Sequence, residues 1–422
     1  QRAGVQYLFS GIGTGGSKPP AGGLVVHAIR HPIDMVVSAY NYHLRCTEMD
    51  WQGLSLVPDA NGGPFAYARI GMGDFAAYLV AWGYWVSIWC ANAAITVAIV
   101  GYLAVFFPIL GESAIASIAT GLAIIWCFTW INSKEIKTVA LVQIVATSLK
   151  IAPILLIGIW GMFYVQAENF TPFNLTGESD FSVITTTTML TFFAFLGMES
   201  ATIPSGSVQD SETTVRKATV FGTLATVLIY IISSVAIMGV IPAEVLAESS
   251  APFADVAEIF WGGGAKYIVA AGAVIATMGA LNGWILMQGA IPMAAAQAGL
   301  FPKIFGKVNT AHSPIYGIAI SSCIVSIFML FNYSNSLVET FSYMMQLTTL
   351  AVTIPFLFSI ISLVRLLKRS SAGFYKKYFV ALCAFAFTVW IMVGCGSEVL
   401  LSGLVLFLLG IPFYFLISRE KA

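Results

Sequence analysis

Between residues 75 and 418 the chain is a succession of apolar runs that dictate its solvent. A helix needs ~20 residues to cross hydrocarbon. Ten runs read as that long: 75–107, 113–131, 138–165, 181–208, 218–242, 266–296, 313–333, 337–363, 375–395 and 398–418. Only 9% of the residues are charged, against roughly 25% in a soluble domain, so no ordinary core could hide this surface. Lipid must surround most of the chain, and in lipid every backbone polar group has to be satisfied internally. The expected fold class is therefore an all-α polytopic membrane protein with ten transmembrane helices. Net charge is zero, with no block of like charges, so no nucleic-acid partner is indicated. The six cysteines (Cys46, Cys90, Cys127, Cys323, Cys383, Cys395) are scattered singly, five of them inside apolar runs, and read as small core residues.

Lys and Arg sort the loops into two sets. One set holds Lys134 and Lys137; Arg216 and Lys217; Lys303 and Lys307; and Arg365, Lys368, Arg369, Lys376 and Lys377. Arg69 before the first span, and Arg419 and Lys421 in the tail, belong with it. The alternate loops hold Lys266 alone. Cytoplasmic loops collect such an excess, so both ends of the ten-helix body, the C-terminus included, are expected in the cytoplasm of an inner (plasma) membrane protein. The acidic loops "QAENFTPFNLTGESD" and "IPAEVLAESSAPFADVAEIF" would face out.

An ionisable side chain at mid-membrane costs about 2.5–3.5 kcal/mol on insertion scales, so it is a functional candidate by default. Two lie deep: Lys150 in "ATSLKIAPILL" and Glu199 in "TFFAFLGMESATIPSG". A buried Lys–Glu pair that clamps two helices is one reading. The other starts from Gly197, Ser200, Thr202, Pro204, Ser205 and Gly206, which crowd round Glu199 and weaken helical hydrogen bonding. Unwound backbone is tolerated at that depth only where it lines a cavity or is buried in protein. A broken helix with a carboxylate at the break is how secondary transporters build a mid-membrane site. Asn92 and Asn282 are lone amides in apolar helices, where interhelical hydrogen bonding is the plain explanation. Tyr84, Phe193 and Trp284 read as core aromatics unless they meet near Glu199, where each face would favour a cation by roughly 0.5–2 kcal/mol. No Ser/His/Asp set, phosphate loop or metal cluster is visible in the spans, so neither an enzyme nor a cofactor is expected.

"LVPDANGGPFAYAR", "FLGMESA" and "AAQAGLFPKIFGKVN" occur in an order and at intervals that resemble the amino acid/polyamine/organocation (APC) transporter superfamily, in particular its basic amino acid/polyamine antiporter branch. The resemblance runs from about residue 54 on. It implies a LeuT-like inverted-repeat transporter fold, two inverted five-helix repeats followed by two helices. The ten spans would be its third to twelfth helices, so the fold would lack its first two. The function implied is secondary active transport, the antiport of an amino acid against its decarboxylated amine in the arginine/agmatine manner. A proton-coupled amino acid permease and a truncated, non-transporting remnant are the alternatives. Partners would be an amino acid or amine substrate, the lipid bilayer and a second copy in a homodimer.

The resemblance also implies a set of site residues: Tyr84, Asn92, Phe193, Gly197, Glu199, Ser200 and Trp284 for substrate, Lys150 and Glu199 for proton or ion coupling. Glu199 matches the branch's acidic gating residue after the sixth-helix glycine, and Asn92 its substrate-contacting Asn on the third helix. Tyr84 and Trp284 match its Tyr one to two turns earlier and its eighth-helix Trp. Lys150 resembles a fifth-helix Lys whose ammonium stands in for the sodium ion of related transporters, and whose pKa burial readily moves. Phe193 departs from the pattern, standing where the branch has a Trp that stacks on guanidinium, which leaves arginine itself open as the substrate.

Residues 1–53 do not fit the body at 54–422. Their apolar runs "GGLVVHAI" and "PIDMVVSAY" are too short to span, and His27, His31 and His43 sit here. Ile33, Val36, Val37, Tyr40 and Leu44 are spaced for one face of an amphipathic helix. "AIRHPIDMVVSAYNYHLR", residues 28–45, resembles the donor-binding segment of sulfotransferases, in which Arg30 and Ser38 would contact the 3′-phosphate. The phosphosulfate loop and α/β sheet that should surround it are absent. "GIGTGG" at 11–16 is similar to the family's Gly-rich first-helix break but leads into "SKPPAGG", and reads as chance or a short remnant. The segment is expected to be a fusion or artefact joined near Trp51 to Leu54, on a chain whose start, Gln1, reads as incomplete.

Overall fold

Helix boundaries follow from residues that stop or start a hydrogen-bonded backbone. In the computed structural model Gly73 (φ 89) and Gly262 (φ 82) take the left-handed region open to glycine, each separating a short helix from a long one. Ser113 and Ser179 cap helix N-termini by accepting from Ala116 N and Ser182 N, satisfying donors that have no intrahelical partner. The structure describes residues 64–134, 154–171, 174, 177–197, 211–310, 313–332, 337–366 and 374–419. The helices in chain order are α1 (Pro64–Met72), α2 (Asp74–Ala104), α3 (Ile109–Glu112), α4 (Ala114–Asn132), α5 (Ile154–Tyr164), α6 (Asp180–Phe193) and α7 (Ser211–Val240). They continue with α8 (Ala243–Glu248), α9 (Pro252–Trp261), α10 (Gly263–Gln297), α11 (Ile315–Asn332), α12 (Leu337–Leu366), α13 (Phe374–Gly394) and α14 (Gly396–Arg419). No strand occurs among the described residues.

Seven helices, α2, α4, α7, α10, α12, α13 and α14, are long and apolar enough to cross a membrane among the described residues, and α5 and α11 are shorter apolar helices. The expected spans 138–165 and 181–208 run partly outside the described residues, as do residues 1–53 with Arg30 and Ser38. Two features differ from the sequence expectation. α1 precedes the first span, too short to show a spanning signal of its own. The acidic segment read as a loop folds into α8 and α9; α9 starts at Pro252, suited to a first helical position where no donor is needed. It packs Ala254, Val256 and Ala257 inward, and Lys266 on α10 lies 2.8 Å from Glu258 and 3.4 Å from Asp255.

α2 is the centre of the bundle, in contact with α1, α4, α10, α11, α12 and α14. Its burial runs from Ala76 to Gly101 round most of its circumference, as befits a helix apolar on all sides. The outer helices show large apolar side chains outward, Phe379 and Val393 on α13 and Leu401 on α14 being 63–65% exposed. The same solvent corrects the cysteine reading: Cys90 and Cys395 are buried, but Cys127, Cys323 and Cys383 are exposed, because hydrocarbon is as compatible with a thiol as a protein core is.

Lipid supplies no hydrophobic drive between helices, so close approach of backbones over small residues has to supply packing instead. α10 and α11 cross in this way, with the Cβ position at Gly317 only 2.9 Å from Gly289 O. Gly317→Leu is expected to lower stability by about 1–3 kcal/mol through overpacking against backbone, read as a fall in the midpoint of thermal unfolding in detergent. Gly222→Leu, at a position where an added Cβ meets nothing within 4 Å, should leave the midpoint in place.

Candidate functional site

α6 stops at Phe193, its last residues half-buried. Beyond Phe193 the backbone tightens to three-residue turns, Phe195 N donating to Phe192 O (3.0 Å) and Leu196 N to Phe193 O (3.1 Å), and Gly197 then takes φ 97. A helix end exposes carbonyls that no residue further along can satisfy. Tyr230 on α7 meets one of them, its hydroxyl donating to Ala194 O at 3.2 Å while its ring packs edge-on against Phe195. The described helix therefore ends just before the glycine that the sequence singled out. Glu199 and Ser200, the next candidates, and Lys150 lie outside the described residues.

Beside this helix end is a cavity of about 430 Å³. α2 lines it with Tyr84, Ser87, Ala91, Ile95, Ala98 and Tyr102, spaced by three and four residues and so on one face. α10 presents a matching face of Val269, Ala273, Thr277, Ala280 and Trp284. Alanine, serine and threonine at facing positions leave the room that larger side chains would fill. From Tyr84 to Tyr102 the cavity follows α2 for about 27 Å at 1.5 Å per residue. α6 adds Phe193, α12 adds Phe341, Thr348 and Val352, and Phe253 of α9 lies at the Tyr102 end.

Four expected site residues meet here. Tyr84, Phe193 and Trp284 line the one cavity, and a Cβ at Gly197 would touch Trp284 Cζ2 at 3.4 Å. Phe193 stands edge-on to Phe341, with ring centroids 6.3 Å apart. No described lining residue carries a charge; polarity comes from Ser87, Thr277, Thr348, Trp284 and three tyrosine hydroxyls. Ser87 and Tyr102 could have been found by stepping along the face of Tyr84; Tyr230, Phe341 and Thr348 come from other helices, and the sequence carries no local sign of them.

Asn92 does not line this cavity. It is fully buried, one residue round the helix from Ala91, and its Nδ2 donates to Gln288 Oε1 at 2.6 Å. Gln288 Nε2 donates onward to Ser322 Oγ (2.7 Å), which is 2.6 Å from Thr129 Oγ1. Trp85 Nε1 donates to Ser321 Oγ and Gln288 O. The result is a polar network tying α2, α4, α10 and α11 together. Asn92 Oδ1 is buried with no partner among the described residues. Asn282 accepts from Asn132 Nδ2 at 3.0 Å and so joins α10 to α4, the interhelical role expected for it. Gln288, the hub of the network, went unnoticed in the sequence although it is an amide in an apolar run.

The amino acid permease family model matches residues 51–414. The chain belongs to the amino acid permease family. It is 30% identical over 382 residues to an arginine/agmatine antiporter of Chlamydia felis, covering 86% of this chain and 78% of the relative. It is 29% identical over 368 residues to a cadaverine/lysine antiporter of Escherichia coli, with 84% and 80% covered. The permease is thus a multi-pass membrane transporter and not an enzyme, and the sulfotransferase-like residues 28–45 lie outside the matched stretch.

In this permease the network around Gln288 makes a definite energetic prediction. Removing Asn92 leaves Gln288 Oε1 buried without its donor, a loss of about 1–3 kcal/mol. Asn92→Ala and Gln288→Ala should each lower the unfolding midpoint in detergent, and the double variant should be less damaged than their sum by about 0.5–1.5 kcal/mol. Strict additivity would mean that the two amides do not act as a pair.

Proposed function

We propose that this permease is an antiporter that exchanges a cationic amino acid for its decarboxylated amine at the cavity between α2, α6, α10 and α12. The observation that carries the reading is the convergence of Tyr84, Phe193 and Trp284 on one cavity at a helix end. An ammonium entering it leaves water for a space whose described walls hold no countercharge. Aromatic faces attract a cation through their quadrupole, by about 2 kcal/mol per ring once the group is desolvated. Glu199, two residues beyond the Gly197 kink, would supply the carboxylate, and the N–H groups freed at a broken helix would receive the amino acid's own carboxylate. An amino acid and its amine share the cation and differ in that carboxylate, so one site can take both. The chemistry agrees with the arginine/agmatine and cadaverine/lysine exchange named for the relatives.

The remaining assignments follow from the same reading. Lys150 would hold the ion-like site and couple its charge to the cycle. The ten-helix body would have both ends in the cytoplasm, because the basic loops sort to one side. Phe193 offers a smaller face than the Trp found in the branch, so a linear ammonium would be met better than a broad guanidinium.

Uptake into proteoliposomes decides the reading. Labelled lysine or arginine is expected to enter vesicles loaded with cadaverine or agmatine at least about tenfold faster than empty vesicles. Equal entry into empty vesicles under a pH gradient would instead mark a proton-coupled permease. Glu199→Gln should abolish exchange with little change in the unfolding midpoint. Phe193→Trp should shift preference towards arginine by about three- to tenfold, the cation–π increment of a better ring.

A further inference from the structure

A second cavity, also of about 430 Å³, lies on another side of α2, between it, α11 and α14. Its walls are Tyr78, Trp82, Trp85 and Trp89 of α2, with Ile320, Ile324 and Phe328 on α11 and Leu406, Leu409 and Phe413 on α14. The polar ends of the first three aromatics turn away from it. Tyr78 donates to Gly410 O, Trp82 to Leu406 O and Trp85 to Gln288 O. The cavity is therefore walled almost wholly by carbon; the fourth aromatic, Trp89, has its indole nitrogen buried with no hydrogen-bond partner among the described residues. Its rim is made of residues that face outward, Ile327, Leu409 and Phe413 being 48–54% exposed. Around membrane-spanning helices such residues face acyl chains, so the groove opens onto hydrocarbon.

Length and charge identify the occupant. From Tyr78 to Trp89 the aromatic ridge runs about 16 Å at 1.5 Å per residue, half of the ~30 Å hydrocarbon thickness and so one leaflet deep. One wall of the groove is made by Phe301, Pro302 and Phe305, on and beside a single helical turn at Lys303–Gly306, Phe301 packing along Tyr78, Trp82 and Trp85 and Phe305 on Trp85. Lys303 and Lys307 flank Phe305 and are exposed, and neither makes an ion pair among the described residues. Two exposed lysines thus flank, in the chain, a residue that walls a chain-length apolar slot.

We propose that this groove is a site for an anionic phospholipid, one acyl chain lying along Tyr78, Trp82, Trp85 and Trp89 and the phosphate against Lys303 and Lys307. Naming the leaflet as cytoplasmic rests on the orientation proposed above; the site itself does not depend on it, nor on the substrate exchanged. An occupied groove fills space between α2 and α14 and so makes the bundle's stability depend on its lipid.

Thermal unfolding of the full chain in a neutral detergent tests this, with phosphatidylglycerol, phosphatidylcholine of the same chain length, or inorganic phosphate added. Phosphatidylglycerol is expected to raise the midpoint at lower concentration than phosphatidylcholine, and phosphate alone to do nothing. Lys303→Gln with Lys307→Gln should weaken the phosphatidylglycerol response about thirtyfold, from the attraction of each lysine for anionic lipid, and leave the phosphatidylcholine response unchanged. Ile324→Trp, which fills the groove, should remove both responses; should that variant fail to fold, the lysine pair decides alone. Equal responses to the two lipids in the unaltered protein, or an undiminished preference in the lysine variant, would overturn the proposal. So would a response to phosphate alone, or no lipid response in any form, the result expected if a second copy or another part of the chain fills the groove.

Discussion

Hydrocarbon cannot hydrogen-bond, and the architecture of this permease follows from where its polar groups find partners instead. Regular helix disposes of the backbone, which leaves two kinds of remainder. Amide and hydroxyl side chains inside the bundle must meet one another, and Asn92, Gln288, Ser322 and Thr129 do so in a chain of 2.6–2.7 Å contacts. Backbone freed where α6 ends must be met from outside its own helix, which Tyr230 does at Ala194 O. One remainder fixes helices to each other; the other permits an opening among them.

These two solutions divide the molecule mechanically. α2, α4, α10 and α11 are cross-tied by side-chain hydrogen bonds at two levels, through Gln288 and through Asn132 with Asn282, and α10 meets α11 backbone to backbone at Gly289 and Gly317. α6 faces the cavity with apolar side chains; Tyr230 of α7 donates to Ala194 O at its end, and Trp390 of α13 donates to Thr185 Oγ1 nearer its start. Sliding a polar cross-tie breaks bonds that lipid cannot replace, whereas rocking an apolar surface costs only contact. A transporter has to present one site to two sides in turn, and an apolar face such as the one Phe193 and Leu196 turn to the cavity resists that movement less than a cross-tied one does.

Sequence patterns located the helices well because spanning length is a strong, local signal: the expected run 337–363 became Leu337–Leu366, and 375–395 became Phe374–Gly394. They failed where the signal was short or shared between elements. α1 and α9 are nine and ten residues long and owe their burial to neighbours, which no local periodicity reveals. Gly197 was marked from composition as a residue that weakens a helix, and the described part of α6 ends just before it; Ser200, Thr202, Pro204, Ser205 and Gly206, marked with it, lie outside the described residues. Asn92 could be recognised as polar in lipid, but whether its amide meets a ligand or Gln288 depends on how far two helices are rotated. That rotation is a tertiary quantity. The cavity is legible only once Tyr84, Phe193 and Trp284, which come from three separate spans, are brought together.

The rotational layout of α2 shows how one helix serves several tasks. Successive residues turn by about 100°, so Tyr84, Ser87, Ala91, Ile95, Ala98 and Tyr102 share one sector. Tyr78, Trp82, Trp85 and Trp89 share another, about 140° round from it. Asn92 falls between the two sectors, on the side of Trp85, whose indole nitrogen reaches the same network. Small side chains on the first sector leave room for a polar solute, wide aromatic rings on the second suit an acyl chain, and the amide between them anchors the helix to α10. A shift of one residue in the sequence of α2 would turn every sector by 100° and, according to its direction, bring the tryptophans to within about 40° of the cavity or the alanines as near to the groove. Its regular face-by-face order, more than any single side chain, is what keeps solute, scaffold and lipid apart.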